Sequence, residues 1–158
     1  MSVAVGKVFL AAFLVLAAVP AQAQERVKVR IGMSMSQIQD YLRSECTRLI
    51  IGEREGEQFI SCDLPEGGLI TANLSPKDRI TYSVYRETND RLWPEEFARA
   101  VAAELGFEGA GEQCMVHRDA SLCWSRGTTR LWVYLDRDSA GRLAAFQSDD
   151  DMKAADAR

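Results

Sequence analysis

Apolar and polar residues alternate in two stretches of equal length, CDLPEGGLITANL (Cys62 to Leu74) and CWSRGTTRLWVYL (Cys123 to Leu135). Cysteine opens both and leucine closes both. A turn-like middle, Pro65 to Gly68 or Arg126 to Thr129, leads into a strand with Ile70, Ala72 and Leu74, or Leu131, Val133 and Leu135, on one face. After a polar turn, SPKD or DRDSAG, each half continues into another short strand, Ile80 to Tyr85 or Leu143 to Gln147. A helical pattern precedes each unit. In the first, Ser34-Met35-Ser36-Gln37 reads as a capping box, with Met33 and Ile38 placed as a hydrophobic staple. Ile38, Tyr41, Leu42, Glu45/Cys46 and Leu49 continue that face. The second opens with Pro94-Glu95-Glu96, where a fixed φ and negative charge suit a first turn. It carries Phe97, Val101 and Leu105 as its stripe and meets Gly106 as a stop.

The pattern predicts an α+β fold of two tandem modules, each a helix packed on an antiparallel sheet of three or four strands. The first module spans residues 24–87 and the second 88–147; the polar tail 148–158 is expected to be disordered.

Ahead of these lies MSVAVGKVFLAAFLVLAAVPAQAQE, with basic Lys7, an apolar run from Val8 to Val19, and the small-x-small site Ala21-Gln22-Ala23. This is the pattern of a secretory signal peptide over residues 1–23. The run is too short for a spanning helix, which needs about 20 apolar residues. A mature chain starting at Gln24 has 158 minus 23, or 135 residues, and loses the charge of Lys7, taking the net from -4 to -5. Such a mildly acidic chain gives no electrostatic reason to bind nucleic acid or anionic lipid. A periplasmic or secreted protein, not inserted in the membrane after signal cleavage, is expected.

Export makes paired thiols the default for Cys46, Cys62, Cys114 and Cys123. Sequence order pairs Cys46 with Cys62 and Cys114 with Cys123, each within its own half. In QCMVHRDASLCW the alternative is a metal site of Cys114, His117, Cys123 and Asp119. Counting favours a disulfide-closed hairpin. With Arg118 and Asp119 at the centre of a loop from His117 to Ala120, Cys114 falls opposite Cys123, Val116 opposite Ser121 and Met115 opposite Leu122.

The tandem layout, one disulfide per half, and Gly32-Met33-Ser34 leading into a helix with Ile38 resemble the β-lactamase inhibitor protein family. They are also similar to the small lipoproteins of the outer-membrane barrel assembly machine. The resemblance covers most of Gln24 to Gln147 and implies a sheet that binds another envelope or extracellular protein. Two features depart from it: there is no lipid-attachment cysteine, and no glycine-proline pair follows Leu42.

For catalysis the chain offers one histidine, His117, in an expected loop, and serines without a nucleophile-elbow context. The glutamates of GEREGEQ read as the solvated edge of a turn. No enzyme activity, cofactor or metal is expected. Transferring the first sheet's phase to the second puts Cys123, Leu131, Val133 and Leu135 against the second helix. Met115, Leu122, Trp124, Arg130, Trp132 and Tyr134 then share the open face, an aromatic cluster suited to binding a protein partner. The same face could instead pack against the first module as core. An inhibitor or envelope assembly factor is the first expectation, a small-ligand or glycan-binding protein the alternative, and a hydrolytic enzyme the third.

Overall fold

The computed structural model describes residues 29–77, 79–88, 92–116, 118–135, 137 and 141–151. The expected signal peptide, His117 and most of the expected tail lie outside the described residues.

Helix α1 (Met35–Leu42) starts at the capping box read from the sequence: the Gln37 backbone N–H donates to Ser34 Oγ, and the Ser34 N–H donates to Gln37 Oε1 at 2.9 Å. It is shorter than its apolar pattern suggested. Leu49 does not extend the helix but belongs to strand β1 (Arg48–Arg54), because the β-branched run Ile50-Ile51 favours an extended chain. The strands β2 (Glu57–Asp63), β3 (Gly68–Leu74) and β4 (Thr81–Thr88) follow as a meander. Helix α2 (Pro94–Glu104) buries Phe97, Ala98, Val101 and Ala102, and Gly106 at φ 75 ends it. The strands β5 (Glu112–Val116), β6 (Asp119–Arg126), β7 (Thr129–Tyr134) and β8 (Leu143–Asp149) form the second meander.

These eight strands make one antiparallel sheet in the order β1-β2-β3-β4-β8-β7-β6-β5. The expectation of two separate helix-plus-sheet modules is therefore corrected. The last strands of the two halves, β4 and β8, pair from Ser83↔Ser148 to Thr88↔Leu143, and the described residues are mostly β with two short helices. The reason is that neither β4 nor β8 ends in a feature that blocks pairing, so joining them satisfies two rows of backbone hydrogen-bonding groups at once.

Both helices cover the same face of this sheet. Under α1 lie Ile60, Cys62, Ile70, Ala72, Leu74 and Val84; under α2 lie Trp124, Leu131, Val133, Leu143 and Ala145. In the first set, Ile70, Ala72 and Leu74 lie on the single face read from their alternation. At the seam, Arg86 of β4 reaches Glu104 of α2 at 2.9 Å and also donates to the Val29 carbonyl. Both side chains of that ion pair are nearly buried, at 11% and 12% exposure. The first half is thus fastened to the helix of the second by charge as well as by the sheet.

The boundary of the tail also moves. Ser148 and Asp149 are buried in β8, and the Asp149 carboxylate accepts from the Thr128 and Thr129 hydroxyls at 2.8 and 3.1 Å. Two hydroxyl donors stabilise a carboxylate at a strand end that composition alone assigned to disorder.

Removing one partner of the seam ion pair strands the other charge in the interior. Glu104→Ala is expected to cost about 3 to 5 kcal/mol of stability in a denaturant melt, whereas the double change Arg86→Met with Glu104→Leu recovers most of that loss.

Candidate functional site

In a sheet, residues directly opposite one another share a face. On the face away from both helices, one row can therefore be followed across every strand: Ile50, Ser61, Thr71, Tyr85, Phe146, Trp132, Cys123, Glu112. Between Ile50 at the edge and Tyr85, its first half carries the hydroxyls of Ser61 and Thr71, and Phe59, opposite Asn73, shares their face with its ring over Gly52. The Ser61 and Thr71 hydroxyls hydrogen-bond at 3.0 Å, and in the next row Asn73 donates to Ser83 at 2.9 Å. Its second half is aromatic. Trp132 stacks on Phe146 with centroids 5.4 Å apart and planes 21° from parallel. Tyr134 lies two residues beyond Trp132 on the same face.

The disulfides sit on opposite sides of the sheet. Cys46–Cys62 ties the end of α1 to the buried face of β2. Cys114–Cys123, with Cα atoms 6.1 Å apart, lies on the open face, where Cys123 is paired with Trp132. Both pairings follow the expectation from sequence order, but the hairpin register does not. Glu112 opposes Cys123 and Cys114 opposes Ser121, so the disulfide bridges diagonal neighbours. Arg118, at φ 78, takes a left-handed conformation in a tighter turn than the four-residue loop expected. Among the described residues no group of three His, Cys, Asp or Glu side chains is placed to hold a metal ion.

Of the six residues assigned to the open face, three are there. Arg130, Trp132 and Tyr134 occupy it, and Arg130 pairs with Asp150 at 2.9 Å. Leu122, Trp124 and Met115 do not. Leu122 opposes Val133 and Trp124 opposes Leu131, which puts both on the α2 side. Trp124 is 6% exposed, its indole N–H donates to the Gly109 carbonyl, and its ring covers Gly111, where a β-carbon would stand 2.5 Å from it. Met115 opposes Ala120, also of that phase, and is exposed at the β5 edge. The cause is turn length. Residues 64–67 separate β2 from β3, whereas only Gly127 and Thr128 separate β6 from β7. Cys62 pairs with Ile70, but its counterpart Cys123 pairs with Trp132 and not Leu131, a one-residue shift that exchanges the faces of β6. Nor does the open face pack against the other half, since the halves meet edge to edge at β4 and β8.

Tyr85 and Phe146 belong to the aromatic group and were not singled out from the sequence. Alternation in TYSVY and LAAFQ marks them as facing away from Val84 and Ala145, but only the β4–β8 pairing puts them side by side.

Charge rims the aromatic group. Tyr85 Oη donates to Glu87 at 2.6 Å, and Arg142 holds the other oxygen of the same carboxylate at 2.6 Å. Burial raises the Tyr85 pKa well above 10.0, reinforced by the Glu87 carboxylate that accepts its proton. Tyr134 is raised too, first by burial and then by the charge of Asp119. Comparison with family models, curated proteins and solved structures finds no match. The reading of this face rests on its own residues.

Two expected outcomes separate the faces. Trp124→Ala should cost about 3 to 5 kcal/mol in a denaturant melt, as for an aromatic truncated in a core. Trp132→Ala should cost about 1 kcal/mol, the scale of one lost aromatic stacking contact.

A group whose pKa is higher folded than unfolded stabilises fully below the unfolded value, and that stability is lost as pH rises past it. Stability is therefore expected to fall above about pH 10, and Tyr85→Phe should flatten the fall. Phenolate absorbance against pH should show Tyr85 and Tyr134 ionising above the ordinary tyrosine value of about 10.

Proposed function

We propose that this chain is an exported, non-enzymatic protein-binding module, an inhibitor or an envelope assembly factor, that meets another envelope or extracellular protein with the aromatic half of its open face. The observation that carries the reading is the row Tyr85, Phe146 and Trp132, flanked by Tyr134, on the face that neither helix covers. Tyrosine and tryptophan are the residues in which interface binding energy concentrates. Their hydrogen-bonding tips and flat rings also give contact area at small cost in side-chain entropy. Around them the Glu87–Arg142 and Arg130–Asp150 ion pairs form a polar rim of the kind that surrounds a binding core.

Export is supported by the leader-like first residues and by two intramolecular disulfides, which persist in oxidising compartments. No helix among the described residues is long and apolar enough to cross a membrane.

A pull-down from envelope and extracellular extracts, comparing the unaltered protein with Trp132→Ala and Tyr85→Ala, tests the reading. Each substitution is expected to weaken capture of a specific partner by about 2 kcal/mol, the scale of an interface hot spot. Ser61→Ala, in the hydroxylated half, should leave capture within about twofold, as for a peripheral contact. Capture that survives both aromatic substitutions would remove the binding role from this face.

A further inference from the structure

The two edges of the sheet differ. β5 is five residues long, and its Cys114 is bonded to its neighbour β6. β1 is seven residues long, stays in unbroken register with β2, and has no strand on its outer side among the described residues. Edge strands are usually blunted by proline, bulges, brevity or a charge in mid-strand. In Arg48-Leu49-Ile50-Ile51-Gly52-Glu53-Arg54 the charges stand only at the ends. Ile50 is 38% exposed on the open face, and Ile51 is 50% exposed on the helix side. Each side of this edge therefore presents an isoleucine to water.

A second copy of β1 can add to this edge antiparallel about a two-fold axis normal to the sheet. Such an axis keeps the helices of both copies on one side, so it opposes only residues of the same parity. Four centres are available. Centring on Ile51 sets Arg48 against Arg54 twice and Leu49 against Glu53. Centring on Gly52 sets Ile51 against Glu53 and Ile50 against Arg54. Centring on Leu49 sets Ile50 against Arg48 and Ile51 against Thr47. Only the axis at Ile50 matches like with like: Ile50 meets Ile50 on the open face, Leu49 meets Ile51 twice on the helix side, and Arg48 meets Gly52. Glu53 then faces Thr47, and no like charges oppose.

We propose that β1 is a homodimerisation edge, pairing with β1 of a second copy in the register centred on Ile50. The two sheets join into one whose open faces look the same way. The aromatic group of each copy lies on the far half of its own sheet, so the dimer presents two such groups flanking a centre made of Ile50, Phe59, Ser61 and Thr71. A partner with repeated epitopes would be held by both, with a gain in avidity that needs no new contact. Pairing through one strand buries a small interface, which places the dimer in the weak class.

Sedimentation velocity of the full mature chain across about 1 to 100 µM, the range of a weak dimer, tests this. A monomer–dimer shift is expected for the unaltered protein. Ile50→Lys and Ile51→Lys should each weaken dimerisation at least tenfold without moving the melting temperature, since both side chains are already exposed. Under mild oxidation Ile50→Cys should give a covalent dimer. Glu53→Cys should not, because this register leaves it about 20 Å from its copy. A protein monomeric throughout the range, a dimer that survives both lysines, or stronger cross-linking at position 53 than at 50 would each overturn the proposal.

Discussion

The pairing of β4 with β8 is the constraint on which the rest of this structure depends. Each half of the chain forms a helix and a four-stranded meander, and each meander ends on a strand with an unsatisfied edge. Joining those two edges, from Ser83↔Ser148 to Thr88↔Leu143, turns two half-sheets into one. It also places both helices on one face, because the faces continue across the seam without a change of phase. The buried Arg86–Glu104 ion pair sits at this seam, where its desolvation is offset by mutual attraction and by the Val29 carbonyl.

What the seam creates is a sheet face of two characters. In the first half Ser61, Thr71, Asn73 and Ser83 satisfy one another through hydroxyl and amide hydrogen bonds, with Phe59 and Ile50 as its apolar members toward the β1 edge. Tyr85, Phe146, Trp132 and Tyr134 make the second half aromatic. The boundary between them does not coincide with the boundary between the halves of the sequence. Tyr85 comes from the first meander and completes the aromatic group of the second.

The disulfides show how the two halves have diverged in phase. One supports the helix-side core at Cys62, and the other braces the edge hairpin β5–β6 on the open face. In the second half the position equivalent to a core cysteine is taken by Trp124, packed over Gly111 beneath α2. A large indole thus replaces a disulfide as the means of filling that corner of the core. Its N–H finds the Gly109 carbonyl, which removes the cost of burying a donor.

From the sequence alone came the elements that local chemistry determines: the capping box at Ser34 and Gln37, the stripe of α2 with its Gly106 stop, the strands β3, β4, β7 and β8, and both cysteine pairings. These depend on residues close in sequence or on simple order, so period and capping were sufficient. The end of α1, the burial of Asp149 and the faces of β6 were not legible in this way. A face assignment in a strand changes with a single residue of register, and register is decided by turns whose length alternation does not report. Trp124 and Trp132 illustrate the limit, since eight residues and a two-residue turn place one indole in the core and the other on the open face. The single sheet, and with it the juxtaposition of Tyr85 with Phe146 and Trp132, was decided only by tertiary structure. Pairing between strands some sixty residues apart is a matter of which edges remain open once each half has folded, and no local pattern carries that information.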